Sequence, residues 1–167
     1  MAIRRVFMIG NPILRKKSSD VKKRAEAEKI LGDLRDTLIN LQKKKRIGRA
    51  LAAPQIGYLK KVIYFNLHER SFAMVNPKIV WNSKRQFEVW DSCFSFDVSF
   101  FVKIKRHKKI RVEYRTAEGN PLIEEFGDDM SELVQHEVDH LHGILAIDHL
   151  RDSRKIILRE EWEKMYR

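Results

Sequence analysis

The chain has 167 residues and a mass of 19.9 kDa, enough for one domain with a real core, since domains run to roughly 100–200 residues; residues 1–167 are read as a single domain. No apolar run approaches the ~20 residues of a membrane span, and Met1-Ala2-Ile3-Arg4-Arg5-Val6-Phe7-Met8 lacks the long apolar core of a signal peptide, so a cytoplasmic protein with no membrane partner is expected. The net charge of +11, from 34 Lys and Arg against 23 Asp and Glu, favours loose contact with a polyanion such as RNA, but no zinc-finger spacing or aromatic RNA-binding signature accompanies it, which excludes a sequence-specific nucleic-acid reader.

In chain order, Asn11-Pro12-Ile13-Leu14-Arg15 opens with turn chemistry. From about Val21 to Lys45 the apolar residues Ile30, Leu31, Leu34, Leu38 and Leu41 fall at helical spacing and predict one long amphipathic helix. Lys43-Lys44-Lys45-Arg46 followed by Gly48 marks its C-terminus. Composition then turns β-branched and aromatic up to about Phe126, in Val62-Ile63-Tyr64-Phe65, Ala73-Met74-Val75-Asn76-Pro77 and Ile79-Val80-Trp81. Ile110, Val112 and Tyr114 alternate with charged residues, the pattern of a half-buried antiparallel strand. Glu118-Gly119-Asn120-Pro121 is a turn before a return strand, Leu122 to Phe126. From Asp128, Met130, Leu133, Val134 and Leu141 restore helical period, with Asp128 or Asp129 as cap and Gly143 as terminator. A charged helical tail from about Ser153 to Tyr166 closes the chain. Segregated strands and helices predict an α+β fold, with mostly antiparallel strands packed around a central motif helix between a long N-terminal and a C-terminal helix.

The motif in that helix is Gln135-His136-Glu137-Val138-Asp139-His140. Residues four apart share a helix face, so His136 and His140 can offer imidazoles to one cation while Glu137 sits beside them, the pattern of metal-activated water attacking a carbonyl. A catalytic site of this kind uses three protein ligands. The longer pattern HExxHxxGxxH needs a histidine at Ala146, and alanine cannot ligate. Two candidates for the third ligand remain: Glu160, in the charged tail, and the single cysteine, Cys93.

Read outward from Cys93, the chain resembles peptide deformylase, whose three ordered motifs are GxGLAAxQ, EGCLS and QHExDHLxG. Residues 135–143 match the third completely, and residues 48–55 match the first except that Ala50 replaces its second glycine. Asp91-Ser92-Cys93-Phe94-Ser95 matches the second at Cys93 and Ser95. Residues 10–15 look like the family's GxPxLR start, so the resemblance spans nearly the whole chain.

The resemblance implies hydrolysis of the formyl group from the N-terminal methionine of nascent polypeptides. It makes Cys93, His136 and His140 the ligands of one divalent metal, Fe²⁺ natively, with Zn²⁺, Ni²⁺ or Co²⁺ able to replace it. Glu137 becomes the general acid–base, and the Gln55 amide with the Phe94 N–H become donors to the oxyanion. Gly48, Arg49, Ala50, Leu51, Asp91 and Arg106 are assigned to substrate recognition. Asp91 and Arg106 are expected to form an ion pair, and Arg49 to favour acidic substrate positions. The partners implied are N-formylmethionyl peptides and, through the basic surface, a transient ribosome contact. The alternatives are a metallopeptidase using Glu160, and a protein of deformylase fold that binds peptide or RNA without turnover.

Overall fold

The computed structural model describes residues 2–166. Its elements run α1 (Arg24–Lys45), β1 (Ala50–Ala52), β2 (Val62–Asn66), β3 (Ser71–Asn82), β4 (Gln86–Asp91), β5 (Phe100–His107), β6 (Lys109–Arg115), β7 (Pro121–Gly127), α2 (Asp128–Leu141), β8 (Ile156–Leu158) and α3 (Arg159–Tyr166), with short 3₁₀ turns between some of them. The named strands form a five-stranded sheet in the order β1-β2-β3-β6-β7 and a three-stranded sheet β4-β5-β8. Every pairing within them is antiparallel. The expected α+β fold, with motif helix and two flanking helices, is the one observed.

Side-chain alternation explains the layers. Leu51, Val62, Ala73 and Val75 pack with Ile30, Leu34 and Leu38 of α1. Their neighbours Ala50, Ile63, Phe65 and Met74 pack with Val134, Val138 and Leu141 of α2. A period of two therefore gives the larger sheet a helix on each face. Leu34 and Leu38 are fully buried, each contributing about 2–3 kcal/mol of burial. A third cluster, including Leu14, Cys93, Phe96, Val102, Ile104 and Leu145, lies on the smaller sheet. The C-terminal half of the motif helix, with His136 and His140, meets the loop carrying Cys93.

Several boundaries differ from expectation. Helix α1 starts after Lys23, because Val21 is held in extended chain: its N–H donates to Asn76 Oδ1, and its carbonyl accepts from Asn76 Nδ2. It ends on Arg46, which takes the left-handed conformation at φ 56° instead of leaving that role to Gly48. The two apolar runs around Pro77 form one strand, β3, whose register with β6 shifts between Val75 and Lys78. Asn76 at φ 53° and Pro77, which lacks an N–H, account for that irregularity. Gly127, not Asp128 or Asp129, is the N-cap of α2; the two acids lie in its first turn, where the helix dipole favours them. The tail is helical only from Arg159, since Ile156–Leu158 pairs with Phe100–Val102 as β8.

Candidate metal centre and substrate groove

Helix α2 is pinned by Gln135, whose amide accepts from His107 N–H at 3.0 Å and donates to the His107 carbonyl at 2.9 Å. This places His136 and His140, one turn apart, with their Nε2 atoms 3.2 Å from each other. Cys93 follows β4 and caps the 3₁₀ turn Phe94–Phe96. Its Sγ lies 3.2 Å from His140 Nε2, and the three donor atoms fall within 4.8 Å of one another. All three residues are buried. Gln55 Nε2 donates to Cys93 Sγ at 3.3 Å and to Ser95 Oγ at 3.2 Å, while its Oε1 accepts from Ala52 N–H. The amide is therefore held with its nitrogen toward the thiol.

Beneath this cluster runs a buried charged network. Asp91 Oδ1 lies 2.8 Å from His136 Nδ1, and Arg106 Nη2 donates to Asp91 Oδ2 at 2.9 Å. Arg106 Nη1 reaches Asp139 Oδ2 at 2.5 Å, and His149 Nε2 lies 2.7 Å from the same oxygen. Burial pushes the Asp91 carboxyl up, but His136 and Arg106 outweigh it and hold the group far below the ordinary range. Burial, and then the neighbouring His136, lower His140 to about 3, leaving the neutral imidazole that metal ligation requires. Burial also lowers His136, but Asp91 and Cys93 overcome it and raise the ring well above the usual value. Burial lifts Glu137 to about 7, with His136 pulling it down and the charges of Asp91 and Glu132 pushing it up.

These donors fit a small divalent cation. Bonds of about 2.0–2.3 Å in tetrahedral geometry put ligand atoms roughly 3.5 Å apart, close to the separations here. A carboxylate on Nδ1 of His136 fixes the tautomer that leaves Nε2 free to ligate. Glu137 Oε2 and His140 Nδ1 are buried without a hydrogen-bond partner among the described residues. An unpaired buried carboxylate oxygen beside three convergent donors is costly for a purely structural core.

The cluster opens into a groove of about 480 Å³, within the usual range for a small-ligand site. Gly48, Arg49, Ala50, Gln55, Cys93, Phe94, His136 and Glu137 all border it. Gly48 has φ +98°, and a Cβ there would fall 2.0 Å from the Phe94 ring, so the first glycine of the motif is required. The Ala50 methyl instead packs in the core against α2. Phe94 N–H, at the start of its turn, makes none of the described hydrogen bonds. Three residues assigned to substrate lie elsewhere: the Leu51 side chain is in the core, and Asp91 and Arg106 are buried beneath the groove, orienting His136. Arg49 is not free for a substrate acid, since it bonds Asp129 at 2.5 Å and Glu132 at 3.2 Å. Glu160 is exposed on α3 and belongs neither to the donor cluster nor to the groove.

A sequence profile described as polypeptide deformylase matches residues 3–156. The chain belongs to the polypeptide deformylase family. Among this deformylase's relatives, peptide deformylase 2 of Clostridium perfringens is 30% identical over 159 residues, spanning 94% of this chain and 99% of that one. Peptide deformylase 2 of Clostridium acetobutylicum is 37% identical over 149 residues, 89% of this chain and 95% of that one. The crystal structure of peptide deformylase from Thermotoga maritima superposes with a TM-score of 0.82 at 29% identity, covering 91% of this chain and 100% of that chain.

Sequence reasoning missed several groups in this deformylase. Asp139 and His149 extend the Arg106 network. The position of Asp139 inside the motif was the available signal. Glu132 and Asp129 reach the groove because they share the His136 face of α2 one and two turns earlier. Trp162 and Arg159 of α3 line the opposite side with Phe101, which carries both the Trp162 ring, 4.7 Å between centroids, and the Arg159 guanidinium. No local pattern brings residue 162 to residue 93.

Proposed function

We propose that this peptide deformylase, which removes the formyl group from the N-terminal methionine of nascent polypeptides, works through one divalent metal held by Cys93, His136 and His140, with Fe²⁺ as the native ion and Zn²⁺, Ni²⁺ or Co²⁺ as replacements. The observation that carries this reading is the buried, unpartnered Oε2 of Glu137 beside a thiol and two imidazole nitrogens within 4.8 Å of one another. The bound metal supplies a Lewis acid that brings the pKa of water toward ~7.

The chain's own groups do the rest. Glu137 Oε2 takes the proton of the attacking water and passes it to the nitrogen of the leaving amine. The Gln55 Nε2–H and the Phe94 N–H hold the oxyanion that develops on the formyl oxygen, each worth a few kcal/mol of barrier in comparable sites. Asp91, itself held by Arg106, keeps His136 in its ligating tautomer. The peptide adds along the edge strand β1 at Gly48 and Ala50. Its methionine side chain enters among Val89, Phe101, Leu133 and Trp162. A cytoplasmic location and a transient ribosome contact through the basic surface complete the reading, supported by the net charge of +11.

The test is anaerobic formate release from a short formyl-Met-Ala peptide with Fe²⁺- or Ni²⁺-loaded protein. Glu137→Gln is expected to keep the metal and lose on the order of 10²–10⁴ in turnover. A metal-loaded wild type that releases no formate overturns the assignment.

A further inference from the structure

In a chain of net charge +11, the wall of the catalytic groove formed by β1 and α2 is acidic. Asp129 and Glu132 lie three residues apart on α2, and Glu132 is one turn before His136, so all three side chains address the same groove. The cation available to both acids is Arg49, which engages one oxygen of each: Asp129 Oδ2 at 2.5 Å and Glu132 Oε2 at 3.2 Å. Asp129 Oδ1 and Glu132 Oε1 make no described hydrogen bond. Two carboxylates against one guanidinium leave a surplus negative charge on this wall. The groove's other cation, Arg159, is occupied elsewhere, with Nε on the Val98 carbonyl at 2.5 Å and Nη1 3.6 Å from Glu163.

We infer that the Arg49–Asp129–Glu132 wall is a specificity determinant that favours formyl peptides carrying a lysine or arginine directly after formylmethionine and disfavours those with an acid there. The inference rests on the deformylase reading of the site. A concave, half-enclosed groove focuses the field of its charges, so a cationic side chain gains and an anionic one loses on entering it. Glu132 is the stronger contributor, with its side chain 12% exposed against 73% for Asp129. Arg49 then acts as the partial neutraliser of the wall. Arg49 and Asp129 are close to solvent and the groove is open to it, so the effect belongs to the range of partly exposed pairs, a few-fold in rate.

The experiment compares kcat/KM for formyl-Met-Lys, formyl-Met-Ala and formyl-Met-Glu peptides on the metal-loaded enzyme at low and high salt. At low salt the lysine peptide is expected to exceed the glutamate peptide by roughly fivefold to tenfold, the alanine peptide falling between them, with the gap narrowing at high salt. Glu132→Gln and the more conservative surface change Asp129→Asn are each expected to shrink the gap, and Arg49→Leu to widen it. Equal rates for the three peptides, a preference for glutamate, or a gap that moves the same way in Arg49→Leu as in Asp129→Asn overturns the inference. Absence of formate from the alanine peptide would instead refute the deformylase reading itself.

Discussion

Arg106 shows how one side chain can decide the condition of a metal site that it does not touch. Its guanidinium bridges Asp91 and Asp139 with only 3% of the side chain exposed, and Asp91 in turn holds His136. A planar fork suits two carboxylates at once, which a lysine cannot match. Arg106→Ala leaves each carboxylate with a histidine as its remaining partner, His136 for Asp91 and His149 for Asp139, and removal of one member of a buried ion pair costs about 3–5 kcal/mol in comparable sites. It is also expected to lower metal affinity roughly 10- to 100-fold, since His136 loses its oriented partner. Chemical denaturation with parallel metal titration reads both effects, and Arg106→Lys should recover part of each. Wild-type metal affinity in Arg106→Ala would remove Asp91 and Arg106 from the positioning role. The cluster of Cys93, His136 and His140 was legible in sequence because helix geometry forces His136 and His140 together and the thiol stands in an ordered motif. The Asp139 branch was hidden, because nothing local shows which flank of α2 meets β5, 33 residues away from Arg106 to Asp139.

At the scale of elements, legibility follows the reach of the interaction. Helix α1, the hairpin of β6 and β7 and helix α2 announce themselves through periodicity, since their burial pattern repeats along the chain. Strands β4 and β5 were not resolved individually, because charged residues alternate through both and only pairing with each other and with β8 gives them a buried face. The last helix was extended too far in sequence because Ile156-Ile157-Leu158 suits helix or strand until Phe100–Val102 offers a ladder. That pairing delivers α3 to the groove. Trp162 packs on Phe101 and Tyr166, and its Nε1 is buried without a described partner. Trp162→Ala is expected to raise KM for formyl-Met peptides about tenfold, equivalent to about 1.4 kcal/mol, with kcat and metal content little changed. Trp162→Phe should restore most of the affinity, because it keeps an aromatic surface. A fall in kcat at constant KM would place Trp162 in support of the metal centre instead of in the substrate wall.

For the molecule as a whole, a charge of +11 grows as carboxylates protonate, so acid both adds self-repulsion and removes specific ties. Asp33 on α1 is one such tie, joining the N-terminal segment to the turn before β2. Its carboxylate accepts from Ala2 N–H, Arg4 Nε and Tyr58 Oη, each at 2.8 Å. Burial pushes this carboxyl up, but the Ala2 amide, the Tyr58 hydroxyl and Arg4 prevail, so its folded value lies below the ordinary 3.8. The folded protein therefore binds this proton less readily than the unfolded chain does. The stabilisation is complete above the unfolded value and is lost as pH falls through the lower folded one. Asp33→Asn is expected to cost about 2 kcal/mol at neutral pH, the scale of hydrogen bonds to a charged group, and progressively less as the medium is acidified below 3.8. Urea denaturation of both proteins across that range measures the difference directly. Because the self-repulsion is nearly common to the two proteins, it cancels in the comparison, and a cost that stayed constant into strong acid would show that Asp33 acts through shape and not through charge.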